Sequence, residues 1–285
     1  MPPPTRVGFL GLGKMGSPMA LNLSRSFPLT VWNRTLSKYP ALTSAGAAIG
    51  ATPSEVVEKS DVIFSMLFDG AATQAIFDDS FKRAIRGRTL VNTASVEAEV
   101  SRGLAEQVKE AGGEFLEMPV SGSRIPAEQG QLVGMMAGDP AVAERIRPLV
   151  QPMTTAAVYC GPIGSGLKTK YAVNLMLVTL TAGLAESMSL ARAMGLDLGA
   201  FGEVLNAGPM ASNYSRIKIA KMLEEDWSAQ ASIKDCHNST KLIGEAGKEA
   251  GADLPLAKVC ETLYRQARES GMGEEDMIAI TKFLK

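Results

Sequence analysis

Val7-Gly8-Phe9-Leu10-Gly11-Leu12-Gly13-Lys14-Met15-Gly16 is the stretch whose reading decides the fold of this chain. Four residues of strand character, Val7–Leu10, run straight into glycines spaced G-x-G-x-x-G, and a helical pattern follows. The first glycine of such a turn permits a tight reversal, the second lets a pyrophosphate approach the backbone, and the third lets helix pack on strand. Free N–H groups and the positive end of the next helix then hold the phosphates. Alone, a glycine triplet reads equally as a structural turn. Between a strand and a helix it predicts a dinucleotide site made by Gly11, Leu12, Gly13, Lys14 and Met15.

Outward from that turn, short β-rich runs alternate with helical ones. Candidate strands are Val7–Leu10, Leu29–Trp32, Val62–Met66, Thr89–Asn92, Glu114–Met118 and Val133–Ala137. Between them lie amphipathic stretches such as Ser54–Lys59 and Val100–Ala111. Strand, helix, strand repeated in this way predicts an α/β fold with an N-terminal Rossmann-like, doubly wound parallel sheet.

The pattern changes near the turn-like Gly161-Pro162-Ile163-Gly164-Ser165-Gly166. A long helix is expected from about Lys168 to Met194, then helices at 199–206, 214–223, 232–250, 255–270 and 274–284, with no further strand. The expectation is a cofactor domain, 1–164, and an all-α C-terminal domain for substrate and oligomerisation, 165–285, joined through the long helix.

Bulk properties narrow the function. The chain has 285 residues, 46% hydrophobic and 21% charged, with a net charge of −1. A core of that size needs no disulfide staples. Without a positive field, nucleic acid is not an expected partner. Cys160, Cys236 and Cys260 are far apart, which predicts neither a zinc site nor a disulfide framework; no metal is expected and a reducing compartment fits. Met1 and the prolines after it lead directly into a strand rather than a signal peptide. The charge-free run Tyr171–Ala185 reads as too short for a bilayer. A cytoplasmic protein without a membrane partner is the expectation, with organelle delivery by a removed leader left open.

The end of the second strand reads out the cofactor. NAD sites usually carry an acid there to bind the ribose hydroxyls, and this chain has Asn33-Arg34-Thr35. Arg34 can pair with a 2′-phosphate, and Asn33 and Thr35 can donate to it. NADP(H) is therefore preferred; NAD(H) remains possible if Arg34 points to solvent.

Chemistry needs a proton carrier, and the one histidine is His237. Lys170 and Asn174 are four apart and share a helix face that continues through Leu177 and Val178. Spacing alone leaves two readings for Lys170: a stem on the core with its ammonium in water, or a proton donor. His237, one turn after Lys234, reads as a second carrier or as a satisfied histidine. Arg124 reads as a substrate-charge partner or as a surface residue.

Four ordered motifs carry a resemblance: the glycine turn, Pro119-Val120-Ser121-Gly122-Ser123, the Lys170/Asn174 segment and Lys234-Asp235. In this order they resemble the β-hydroxyacid dehydrogenase family over essentially the whole chain. Val31–Thr35, Val173 and Ser123–Glu128 look most like its glyoxylate/succinic semialdehyde reductase branch. The resemblance implies that Lys170 is the general acid and that Asn174 orients it or binds substrate. It gives Ser121, Gly122 and Ser123 to the substrate carboxylate. Lys234 falls near nicotinamide and substrate with Asp235 as its companion, and Met66, Leu67 and Ser95 line the cofactor. It also implies NADPH-dependent reduction of a small aldehyde or keto acid by a homodimer or homotetramer. Oxidation of a 3-hydroxyacid such as 3-hydroxyisobutyrate, imine reduction, and a non-catalytic assembly module are the competing readings. One departure stands out: Asn92-Thr93-Ala94-Ser95 replaces the family's usual Asp-x-Ser-Thr, which puts substrate preference in question.

Overall fold

The computed structural model describes residues 4–67 and 70–284; the reading placed on Met1 and the first two prolines lies outside them. The chain divides into two compact units, 1–170 and 171–285.

In the first unit, strands β1 (Val7–Leu10), β2 (Leu29–Trp32), β3 (Ala48–Ile49), β4 (Val62–Ser65), β5 (Thr89–Asn92), β6 (Glu114–Glu117), β7 (Val120–Ser121), β8 (Leu132–Gly138) and β9 (Thr154–Gly161) form one sheet. Their order is β3-β2-β1-β4-β5-β6-β8-β7, with β9 on β8. Helices α1 (Gly16–Ser24), α2 (Pro40–Ser44), α3 (Pro53–Glu58), α4 (Gly70–Ile76), α5 (Asp79–Ala84), α6 (Ala98–Glu110), α7 (Arg124–Glu128) and α8 (Pro140–Ile146) connect them. All four residues of β1 are buried, which is what a central strand covered on both faces requires. Val7 and Phe9 join Met19 and Leu23 of α1 in one core layer. Leu10 joins Val56, Phe81 and Leu104, from α3, α5 and α6, in the other. Helices on both faces make the sheet doubly wound. Each large side chain fully buried here contributes about 1.5–3 kcal/mol.

The expected parallel sheet holds from β3 to β6 and fails beyond, where β8 runs antiparallel to both β6 and β7. A parallel return needs a crossover of a dozen or more residues, and only residues 122–131, with the five-residue α7 among them, separate β7 from β8. The chain therefore turns back. The sequence reading did not include β3, β7 and β9. The first two are two residues long, and none of β9 is fully buried, so neither length nor apolar alternation marks them.

Helix α9 (Ser165–Ala193) begins in the first unit and continues into the second. There α10 (Leu198–Ala207), α11 (Asn213–Leu223), α12 (Ile233–Glu249) and α13 (Pro255–Ala267) follow. No strand is present among the described residues of the second unit, apart from an isolated Ser232–Asp276 bridge. Ser212 and Ser232 open α11 and α12 with capping boxes, the local signal that makes those starts readable. The expected helix at 274–284 is instead a 3₁₀ segment, Met277–Lys282. Gly271, at φ 87°, breaks the helical run before it, and Asp276 caps it through the Ile278 N–H.

The bilayer-length argument also needs correcting. By length and composition alone, the 29-residue α9 is long and apolar enough to cross a membrane, a criterion that a core helix of a soluble protein also meets. The charge-free run Tyr171–Ala185 understated it. The helix has two faces: Asn174, Val178 and Thr181 are buried, while Val173, Met176 and Leu180 are exposed.

Candidate active site

The glycine turn sits where the strand order reverses, since β1 lies between β2 and β4. In such sheets ligands bind beyond the strands' carboxyl ends at this point. Gly11 has φ 98°, and a Cβ on it would lie 2.4 Å from the Met66 carbonyl oxygen. A Cβ on Gly16 would lie 1.9 Å from the Gly11 oxygen and 3.1 Å from the Phe9 ring. Neither position can carry a side chain without opening the turn. At Gly13 a Cβ would meet nothing within 4 Å; Gly13 and Lys14 are exposed. Met15, half-buried, precedes α1 without a side-chain cap. An open glycine ahead of a helix start with no capping side chain fits a pyrophosphate.

Two residues do other work than expected. The Leu12 N–H donates to Asn33 Oδ1 at 2.9 Å, and the Leu12 side chain is buried. Asn33 Nδ2 donates to the Thr35 carbonyl at 3.0 Å. Both ends of the Asn33 amide are thus engaged within the protein. The Tyr39 hydroxyl accepts from the Asn33 N–H and donates to its carbonyl, each at 2.8 Å. Asn33 is a brace between the glycine turn and the end of β2, and its amide N–H₂ has a second hydrogen beyond the bond to Thr35. Arg34 and Thr35 are exposed beside it.

Met66 and Leu67, both half-buried, flank the turn: a Cβ on Gly11 would lie 3.0 Å from Leu67 Cδ2. The departure from the family pattern folds onto β4. Ser65 Oγ donates to Asn92 Oδ1 at 3.0 Å, and Thr93 Oγ1 donates to the Ser65 carbonyl at 2.7 Å. Asn92 Nδ2 is buried without a partner among the described residues. Ser95 is exposed.

Ser121 ends β7 and is half-buried, Gly122 is exposed, and Ser123 precedes α7 without using its hydroxyl as a cap. Arg124 pairs with Glu128 at 2.9 Å on the surface.

On α9, Lys170 and Asn174 are both buried, at 9% and 8% exposure, whereas Lys168 is exposed. Asn174 Nδ2 donates to Ser239 Oγ of α12 at 3.2 Å, and its Oδ1 is buried without a partner among the described residues. Lys234, half-buried, lies 3.5 Å from Glu274. Asp235 is not its companion: its carboxylate accepts from Ser232 Oγ at 2.7 Å and from the Ser232 N–H, closing the cap of α12. His237 is buried, with Nδ1 3.2 Å from Arg268 and Nε2 3.4 Å from Glu261. Burial, and then the charge of Lys241, holds its pKa below the usual value. His237 is thus packed between Arg268 and Glu261, and its Nε2 makes no hydrogen bond among the described residues.

The fold thus gathers the turn and Met66–Leu67 at the carboxyl ends of β1 and β4, with Asn33–Thr35 after β2. Ser121–Ser123 and Lys170 belong to the same unit, and Asn174 and Lys234 to the helical one. Two polar residues escaped the sequence reading: Ser239, which carries no motif, and Glu117, hidden inside a strand pattern.

Residues 6–161 match the family model for the NAD binding domain of 6-phosphogluconate dehydrogenase. Residues 164–284 match that for the NAD-binding domain of NADP-dependent 3-hydroxyisobutyrate dehydrogenase. Glyoxylate/succinic semialdehyde reductase 1 of Arabidopsis thaliana is 33% identical over 98% of both chains. Reductase 2 of that plant, chloroplastic, is 33% identical over 98% of this chain and 79% of its own. Among solved structures, 3-hydroxyisobutyrate dehydrogenase of Salmonella typhimurium superposes with a TM-score of 0.90 at 21% identity, over 98% of this chain and 99% of the other. With two family models accounting for nearly its whole length, this chain belongs to the β-hydroxyacid dehydrogenase family and is an NAD(P)-dependent oxidoreductase.

Proposed function

We propose that the protein reduces a small aldehyde or keto acid, of the glyoxylate or succinic semialdehyde kind, to its hydroxyacid with NADPH. The observation that carries this reading is the selective burial of Lys170 with Asn174 on one face of α9, while Lys168 two residues earlier is exposed. A long cationic side chain is rarely withdrawn from water unless it has work or a partner. The names of the two plant reductases supply the substrate class.

Bound NADPH supplies the hydride. As negative charge builds on the substrate oxygen, the Lys170 ammonium donates a hydrogen bond to it and then delivers a proton. Asn174 Oδ1, buried and without a partner among the described residues, can accept from that ammonium while Ser239 holds the amide in place. The Ser121 hydroxyl and the Gly122 N–H offer donors to the substrate carboxylate. Preference for NADPH rests on Arg34, exposed beyond β2 with no acid in the Asn33–Thr35 segment to repel a 2′-phosphate. The exposed apolar residues of α9, Val173, Met176 and Leu180, support assembly with further copies of the chain.

The test is loss of NADPH absorbance with glyoxylate and with succinic semialdehyde, repeated with NADH and with Lys170→Ala. Turnover with NADPH, reduced about 10²- to 10⁴-fold in Lys170→Ala at unchanged NADPH affinity, is expected. Full turnover in that variant would remove the acid assignment. Oxidation of 3-hydroxyisobutyrate with NADP⁺, without reduction of either aldehyde, would replace the substrate class.

A further inference from the structure

Glu117 is the last residue of β6, fully buried at 0% exposure, and has no part in the chemistry described above. Its Oε1 accepts from the Leu167 N–H at 2.8 Å. Its Oε2 accepts from the Gly164 N–H at 3.1 Å and from Ser101 Oγ of α6 at 2.6 Å. Every partner is a donor, so this carboxylate joins three pieces of the first unit: the central sheet, α6 and the start of α9.

The arrangement at α9 is a helix cap supplied from elsewhere in the chain. The Gly164 carbonyl accepts the first helical hydrogen bond, from the Lys168 N–H at 3.0 Å. Gly164 therefore stands at the cap position, where a Ser, Thr, Asp or Asn would normally use its side chain on the third helical N–H. That N–H belongs to Leu167, and Glu117 takes it instead. Gly166 lets the helix come close: a Cβ there would lie 2.5 Å from the Met135 carbonyl and 2.9 Å from Glu117 Oε1. The first turn of α9 is thus held in rotation and in height against the sheet. Lys170 follows Leu167 by three residues. Ser121 follows Glu117 by four, through Pro119, whose Cδ would lie 3.3 Å from the same Cβ.

We infer that Glu117 is a positioning residue for the reaction: it sets the spacing between the Lys170 ammonium and the Ser121–Gly122 loop by capping α9 from β6. This rests on the proposed acid role of Lys170. A displacement of about 1 Å at a proton donor can cost roughly a hundredfold in rate, so loss of the cap should appear in kcat rather than in cofactor binding. Glu117→Gln places an amide N–H₂ against the Leu167 N–H or against the Gly164 N–H, whichever way it turns, and undoes half the bidentate grip. Glu117→Asp keeps the charge but is one methylene too short to reach both N–H groups.

The experiment is a double-mutant cycle in the full-length protein, with Glu117→Gln, Lys170→Ala and the pair, reading kcat, substrate KM and NADPH Kd. Expected is a fall in kcat of about a hundredfold for Glu117→Gln, unchanged NADPH Kd, and no further fall when Glu117→Gln is added to Lys170→Ala. The same fractional loss in both backgrounds would make Glu117 merely structural and overturn the inference. Lys170→Ala at full turnover would overturn it too, and would show that the acid assignment, rather than the cap, is at fault. If Glu117→Gln does not fold, the cycle with Glu117→Asp decides by the same criterion, with about a tenfold fall expected.

Discussion

Arg34 is exposed beyond the end of β2, where a carboxylate would select the unphosphorylated cofactor. Asn33 beside it is committed at both ends of its amide, to Leu12 and Thr35. Within the Asn33-Arg34-Thr35 segment, charge for a 2′-phosphate therefore comes from Arg34 alone. A charge-assisted hydrogen bond contributes about 1.5–3 kcal/mol. Arg34→Asp is expected to weaken NADPH roughly tenfold to a hundredfold while altering NADH much less, as read by fluorescence titration of each cofactor. An unchanged ratio would assign the 2′-phosphate to another group. Sequence showed that a cation stood here and no acid did. It could not show that Asn33 braces the glycine turn, because Leu12, which donates to its Oδ1, is 21 positions away.

In the helical unit, α11 is fastened to the 3₁₀ segment Met277–Lys282 by a buried ion pair. Lys218 Nζ lies 2.7 Å from Asp276 Oδ1, with side chains 2% and 0% exposed. Burial lowers the Lys218 pKa, and the charge of Asp276 opposes that shift. Asp276 also accepts from the Gln230 and Ile278 N–H groups, so its carboxylate is saturated only while Lys218 is present. Lys218→Met would leave a buried, uncompensated charge and is expected to cost about 3–5 kcal/mol in reversible urea unfolding. A cost below about 1 kcal/mol, the range of exposed pairs, would mean that water reaches Asp276. This pair explains why the last expected helix was misjudged. A helix was expected over 274–284, but Asp276 anchors the 3₁₀ segment from outside it. The serine caps of α11 and α12 are local by contrast, since their partners lie three residues on.

For the molecule as a whole, the exposed apolar face of α9 carries Met176 at 71% exposure and Leu190 at 62%. Such a face is unusual on a chain that remains alone in water. Static light scattering on the purified protein is expected to give two or four times the 30.1 kDa chain mass. A mass of 30.1 kDa at micromolar concentration would overturn the proposed assembly. The order of elements in both units followed from sequence because each long element declares itself over a few residues. Short β-rich runs marked β1, β4 and β5, a glycine triplet marked the turn, and helical spacing marked α9 and α12. These are consequences of backbone geometry and local side-chain chemistry, which any stretch carries with it. The antiparallel return through β8, the edge strand β9, the brace at Asn33, the cap that Asp235 makes, and the grip of Glu117 on α9 were decided only in the folded chain. In those cases the partner is distant in sequence or the local pattern is too short, and a hydrogen bond's meaning depends on which donor the fold brings to it.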